Sequence, residues 1–215
     1  MASNKKLEAR KGQILMAAEK VFAEKGFQEA TVSDVAREAG VSDTTIYEYF
    51  STKEELLFSI PCETTREGIE TMSFHLNYIR GAANKIRSTV YHLLWFYQNH
   101  RDYASLVMMN LKQNRKFLET EAYRIIQEGF RMIIEVIEEG IASGEFREET
   151  NPYLVRHVII GTIENILFRW LLVGKPEDLL QFVDPLTDLI TDGIKKGGLP
   201  KNWNVRITLE PQEES

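Results

Sequence analysis

Residues 152–174, PYLVRHVIIGTIENILFRWLLVG, constrain the fold more tightly than any other stretch of this chain. At helical spacing, Val155, Val158, Ile159, Ile160, Ile163, Ile166, Leu167, Phe168, Trp170, Leu171 and Leu172 cover nearly every side, so they cannot all face one core. A helix that is apolar all round has to be buried all round. In a chain of 215 residues, a second copy supplies that burial most simply, helped by Leu179, Phe182, Val183, Leu186, Leu189 and Ile190 of the next segment. The expectation is a homodimer closed by a four-helix bundle, with Ile159, Ile163, Leu167, Trp170, Leu186 and Leu189 at its interface. The competing expectation is a central helix of one subunit.

The rest of the chain reads as helix too. Beyond residue 52 the periodicity predicts segments near 53–76, 81–99, 102–112, 116–142, 152–174 and 176–196, and alternating β-formers occur only in the tail, at Val205, Ile207 and Leu209. The predicted class is all-α. A hydrophobic content of 43% is enough for a real core. No leader with an apolar centre and no stretch near ~18 uninterrupted apolar residues is visible, which places the chain in the cytoplasm and away from membranes. The single cysteine, Cys62, and the scattered His75, His92, His100 and His157 build neither a disulfide framework nor a metal site. No cofactor is expected, and no phosphate loop, His-Glu metal helix or nucleophile elbow argues for an enzyme.

The net charge of −6 does not favour a polyanionic partner, but its distribution matters more. Lys5, Lys6, Arg10 and Lys11 face only Glu8 within the first 13 residues and make a basic arm. Three short helices follow. Ile14, Leu15, Ala18, Val21 and Phe22 define the first, and Gly26 ends it. Thr31 and Asp34 box the start of the second, whose buried side is Val32, Val35, Ala36 and Ala39. Ser42 caps the third, which runs to about Phe50, and Ser51 with Glu54 is expected to box the start of a fourth. The turn Ala39-Gly40-Val41 joins helices two and three into a helix-turn-helix. Ile46 and Phe50 then face the core and leave Asp43, Thr44, Tyr47 and Glu48 outward, with Thr45 and Tyr49 on the borders. Short hydroxyls and phenols suit a DNA groove, because long side chains would hold the helix away from base edges.

The stretch ILMAAEKVFAEKGFQEATVSDVAREAGVSDTTIYEYFSTKEEL resembles the N-terminal domain of TetR-family transcriptional regulators over about residues 10–58. A looser likeness, EEGIASGEFREETNPYLVRHVIIGTIENILFRWLL, leans toward the acyl-CoA-responsive members. The resemblance implies a DNA-binding domain over residues 1–52, a helical ligand-binding and dimerisation domain over 53–196, and a tail over 197–215. It also implies a homodimer that binds a pseudo-palindromic DNA operator as a repressor and is released by a lipophilic small molecule. Tyr47 and Lys53 match phosphate-contacting positions, Thr31 and Ser33 match contacts at the start of helix two, and Ser42, Thr44, Thr45 and Tyr49 match contacts on the recognition helix. Thr44 stands where many members have Gly or Ala. Asp43 serves either as a first-turn charge or as a base acceptor, and Glu48 either reads cytosine or acts as a helix-end partner.

For the effector, Phe74, Tyr78, Tyr91, Trp95, Tyr103, Met108, Phe117 and Tyr123 form a candidate lipophilic lining, with Arg169 open to an anionic ligand, an intersubunit ion pair or the surface. Pro61 is expected to kink or break the fourth helix near Leu57, as a hinge or as a fixed bend. The alternative function is a helical protein-interaction module whose helix-turn-helix only packs.

Overall fold

The computed structural model describes residues 2–197, with side chains from residue 7 onward apart from Glu63 and Glu67. The tail expectations beyond Gly197 and the side chains of Lys5 and Lys6 lie outside the described residues. Nine α-helices carry the described chain: α1 (Ala2–Lys25), α2 (Val32–Ala39), α3 (Asp43–Tyr49), α4 (Lys53–Leu76), α5 (Ala82–Asn99), α6 (Arg101–Leu106), α7 (Glu121–Ala142), α8 (Pro152–Val173) and α9 (Val183–Ile194). The only strand-like pairing among the described residues is one antiparallel bridge, Phe146 to Lys195. The first thirteen residues are the opening turns of α1, so the basic arm is helical.

Capping chemistry sets most boundaries. Thr31 accepts from the Asp34 amide and returns its own N–H to Asp34, the full box that the sequence predicts. For α4 the cap falls one residue later than expected: Thr52 accepts from the Glu55 amide at 3.0 Å, and Glu55 reaches back to the Ser51 N–H at 2.7 Å. Helix α5 has no side-chain cap of its own at Gly81. The remote Glu145 carboxylate fills that place, accepting from Ala82 and Ala83 at 2.7 and 2.9 Å.

Three expected segments are divided. After α6 the chain widens into a π-helical turn, Val107–Leu111. A 3-10 turn, Arg115–Glu119, precedes Thr120, which caps α7 through the Tyr123 amide. A second 3-10 turn, Leu179–Phe182, leads into α9. The break expected at Pro61 is absent, since α4 runs unbroken from Lys53 to Leu76. Leu56, Leu57 and Ile60 are all buried, so packing on the near side of the proline holds the helix through the lost backbone bond.

Helix α8 corrects the opening expectation. Ile159, Ile163, Leu167 and Trp170 repeat at intervals of four, four and three and are buried within the subunit, as is Leu186 of α9. These five cannot form a dimer interface without unfolding the chain. Among the six residues assigned to that surface, only Leu189 is exposed, at 73%. The outer stripe of α8 is Leu154, Val158, Gly161, Asn165, Phe168 and Leu172, spaced four, three, four, three and four, and the large apolar members are 43–64% exposed.

Candidate DNA-binding face and effector cavity

Helix α1 packs on α2, α4 and α6 and ties the small N-terminal domain to the larger bundle. The Gln13 side chain donates to the Ala39 carbonyl at 2.9 Å, which fixes α1 against the end of α2. There Gly40 takes a left-handed φ of 64° and the Val41 N–H closes on the Ala36 carbonyl at 3.0 Å, so the chain reverses into α3. Ile46 and Phe50 fill the core as the spacing requires, leaving Thr44, Tyr47 and Glu48 exposed.

Thr31, Ser33, Ser42, Thr45 and Tyr49 are engaged inside the domain. Thr31 caps α2, Ser42 caps α3 through the Thr45 amide, and the Ser42 and Thr45 hydroxyls meet at 2.9 Å. Ser33 donates to the Asp43 carboxylate, which gives Asp43 the local role of joining α2 to α3. Tyr49 is half-buried against Phe50, with ring centroids 6.3 Å apart. Arg10 and Lys11 are half-buried on α1 and have no ion pair among the described residues. Lys20 pairs with Glu38, while Lys25 and Arg37 both pair with Asp34. The Lys25 ammonium and the Thr31 groups hold the Asp34 carboxyl well below the usual range.

Lys53 departs furthest from expectation. Its ammonium donates to the carbonyls of Phe27, Ala30 and Gln28 at 2.7, 2.9 and 3.4 Å and lies 4.4 Å from the centre of the Phe27 ring. An ammonium has three protons, and all three are directed at the loop between α1 and α2. Lys53 therefore holds that loop through its ammonium.

In the larger domain, an apolar cavity of about 50 Å³ lies between α4, α5, α6 and α7, lined by Thr65, Gly68, Ile69, Met72, His92, Leu93, Phe96, Tyr97, Tyr103, Ile126, Gly129 and Phe130. Gly129 lets Ile69 of α4 pack directly on α7 at one wall, because a Cβ there would stand 2.5 Å from Ile69 Cδ1. Thr65 Oγ1 and the Tyr103 hydroxyl are 2.6 Å apart, and burial pushes that phenol far above its ordinary titration range. Burial, with His75 as a smaller cause, keeps His92 below the usual imidazole value although the Gly68 carbonyl opposes the shift. The polar groups of this wall are therefore neutral at physiological pH.

Tyr97, Ile126 and Phe130 also border a second hollow, a groove of about 340 Å³ open to the surface between the π-turn, α7 and α8. Val107, Phe117, Tyr123 and Ile160 line it, and Lys112, Arg156, His157 and Glu164 stand at its rim, with Lys112 and Glu164 ion-paired. Inner cavity and outer groove share one set of separating side chains, so rotamer changes of Tyr97 and Phe130 would join them into a single apolar passage with a charged mouth.

The residues expected around an effector divide among several places. Tyr103 lines the cavity, and Phe117 and Tyr123 line the groove. Tyr78, Tyr91 and Trp95 flank a separate hollow on the outer face of α4 and α5, with Phe74 exposed beside Tyr78. Met108 is core, and Arg169 is exposed on α8. Sequence reasoning missed Thr65, missed Gly68 and Gly129, over which Phe96 and Ile69 pack closely, and missed Ile126 and Phe130, which read as ordinary core positions.

Residues 14–60 match the description of bacterial regulatory proteins of the tetR family, and residues 63–207 that of the YsiA-like protein C-terminal region. The fatty acid metabolism regulator protein of Bacillus subtilis (strain 168) is 30% identical over 182 residues, covering 85% of this chain and 94% of the relative. The solved FadR of Bacillus halodurans superposes with a TM-score of 0.80 at 28% identity, over 86% of this chain and 95% of that one. FadR from Bacillus subtilis in complex with stearoyl-CoA gives 0.79 at 30% identity, over 85% and 98%. The helix-turn-helix, the nine-helix order and these matches over nearly the whole length agree, and the chain belongs to the TetR family of DNA-binding transcriptional regulators.

Proposed function

We propose that this protein is a cytoplasmic repressor that binds a pseudo-palindromic operator as a homodimer and leaves it when a lipophilic anion of the acyl-CoA kind enters the larger domain. The observation that carries the reading is the apolar cavity meeting a groove rimmed by Lys112 and Arg156, in a chain that also carries an exposed Tyr47 recognition face. An acyl chain suits the cavity, and a phosphate-rich head suits the two cations. The ligand in the solved Bacillus subtilis relative, stearoyl-CoA, has this chemistry. The outer stripe of α8, with Leu189, is the surface we assign to the second copy, because it supplies apolar residues at heptad-like intervals. Two-fold pairing then presents two α3 helices to half-sites one helical turn apart. We divide the chain into its DNA-binding and ligand-binding domains at Thr52, a reading that the cap of α4 at that residue supports. Selection of bound genomic fragments, run with and without stearoyl-CoA, tests the whole reading. Symmetric half-sites recovered only without the ligand support it, whereas fragments of no common sequence would refute it.

A further inference from the structure

We infer that Asn110 is a positioning residue that holds the DNA-binding domain in register with the effector groove; this rests on the reading that the groove and cavity receive the effector. The amide carbonyl of Asn110 accepts the backbone N–H of Phe27 at 3.3 Å, across 83 residues of chain. Phe27 lies in the loop between α1 and α2, and Lys53 of α4 takes its carbonyl at 2.7 Å. Two polar side chains from outside the loop therefore hold the same residue, one at its N–H and one at its C=O. The Phe27 ring is also fixed, packing edge-to-face on Phe22 with centroids 5.5 Å apart.

The place of Asn110 in the chain gives this contact its meaning. It belongs to the π-turn Val107–Leu111, a wide turn of the kind concentrated at functional sites. Val107 of the same turn lines the groove, and Lys112, immediately after it, pairs across the groove mouth with Glu164 of α8. One short segment thus touches the effector groove on one side and the DNA-binding domain on the other. A ligand anion that draws Lys112 away from Glu164 loads the π-turn directly, and Asn110 transmits the displacement to Phe27 and the end of α1. The contact ties the loop after α1 to the π-turn, so removing it should loosen the DNA-binding domain and weaken operator binding.

The test compares Asn110→Ala, Asn110→Leu and Asn110→Asp with the wild type; the aspartate keeps an acceptor for the Phe27 N–H and the other two do not. The readouts are ligand-free affinity for the selected operator duplex, the ratio of operator affinities without and with stearoyl-CoA, and hydrogen exchange of the Phe27 amide. The expectation is that Ala and Leu weaken ligand-free operator binding by about fivefold or more, shrink the ratio by a similar factor and speed Phe27 exchange, while Asp stays near wild type. Ligand-free operator affinity within about twofold of wild type for both Ala and Leu would overturn the inference. A wild type indifferent to stearoyl-CoA would defeat the effector assignment, and the ligand-free affinities and exchange rates would still decide the role of Asn110.

Discussion

Replacing Lys53 with alanine removes three hydrogen bonds from one ammonium, two of them short, at 2.7 and 2.9 Å, and the third long, at 3.4 Å. A bond to a charged group contributes about 1.5–3 kcal/mol when well buried, and less where water can replace the donor. The Gln28 carbonyl belongs to an exposed residue, whereas Phe27 and Ala30 are sheltered. Counting mainly the two short bonds, and halving each for the solvent access of Lys53, gives a loss of roughly 1.5–3 kcal/mol. For a chain of this size that lowers the melting temperature by about 3–12 °C. Thermal unfolding followed by circular dichroism reads it, beside an operator titration at several salt concentrations. DNA affinity should fall because the loop moves, with the salt slope unchanged. A melting temperature within about 1 °C of wild type, with a salt slope lower by about one, would refute the reasoning and return Lys53 to the phosphates.

Tyr47→Phe should behave in the opposite way, because Tyr47 is 55% exposed. Its melting temperature should stay within about 1 °C while operator affinity drops, and an unchanged affinity measured by anisotropy would remove Tyr47 from the DNA face. Glu19, in the seam between α1 and α6, has its carboxyl raised to about 7 by burial and, second, by Asp102. Since the folded value exceeds the unfolded one, its contribution is complete below about pH 4.5 and is lost as pH rises through about 7. Glu19→Gln should therefore stabilise the protein at pH 8 by about 1–2 kcal/mol, discounted for partial exposure, and leave it nearly unchanged at pH 4.5; equal effects in urea unfolding at both pH values would contradict this. Phe168→Glu on the outer stripe of α8 should give folded monomers in sedimentation, whereas Ile163→Asp should unfold the chain by burying an unpaired charge at a cost of several kcal/mol; folded monomers from Ile163→Asp would invert the assignment of the two faces.

Local chemistry was the legible part of this sequence. Caps at Thr31 and Ser42, the turn at Gly40 and the inward pair Ile46 and Phe50 depend on neighbours within four residues, and all four features stand where the pattern puts them. Long-range polar contacts were not legible. Nothing near Gly81 announces that Glu145 will cap α5, and nothing near Lys53 announces the carbonyls of a loop 23 to 26 residues earlier. The α8 error has a similar origin. An all-round apolar pattern says that every side needs cover, but it does not say that neighbouring helices of the subunit cover Ile159 and leave Phe168 exposed. Cavity residues such as Gly129 escaped because their part is to let a remote side chain, Ile69, come close, and a sequence does not register that approach.

The most direct test of effector-controlled DNA binding is the dissociation constant of the selected operator, measured by fluorescence anisotropy with and without saturating stearoyl-CoA at two salt concentrations. The account predicts tight, salt-dependent binding without the ligand and a loss of at least about fivefold with it, at both salt concentrations. An affinity that is the same with and without stearoyl-CoA, for a protein shown by calorimetry to bind that ligand, would contradict it.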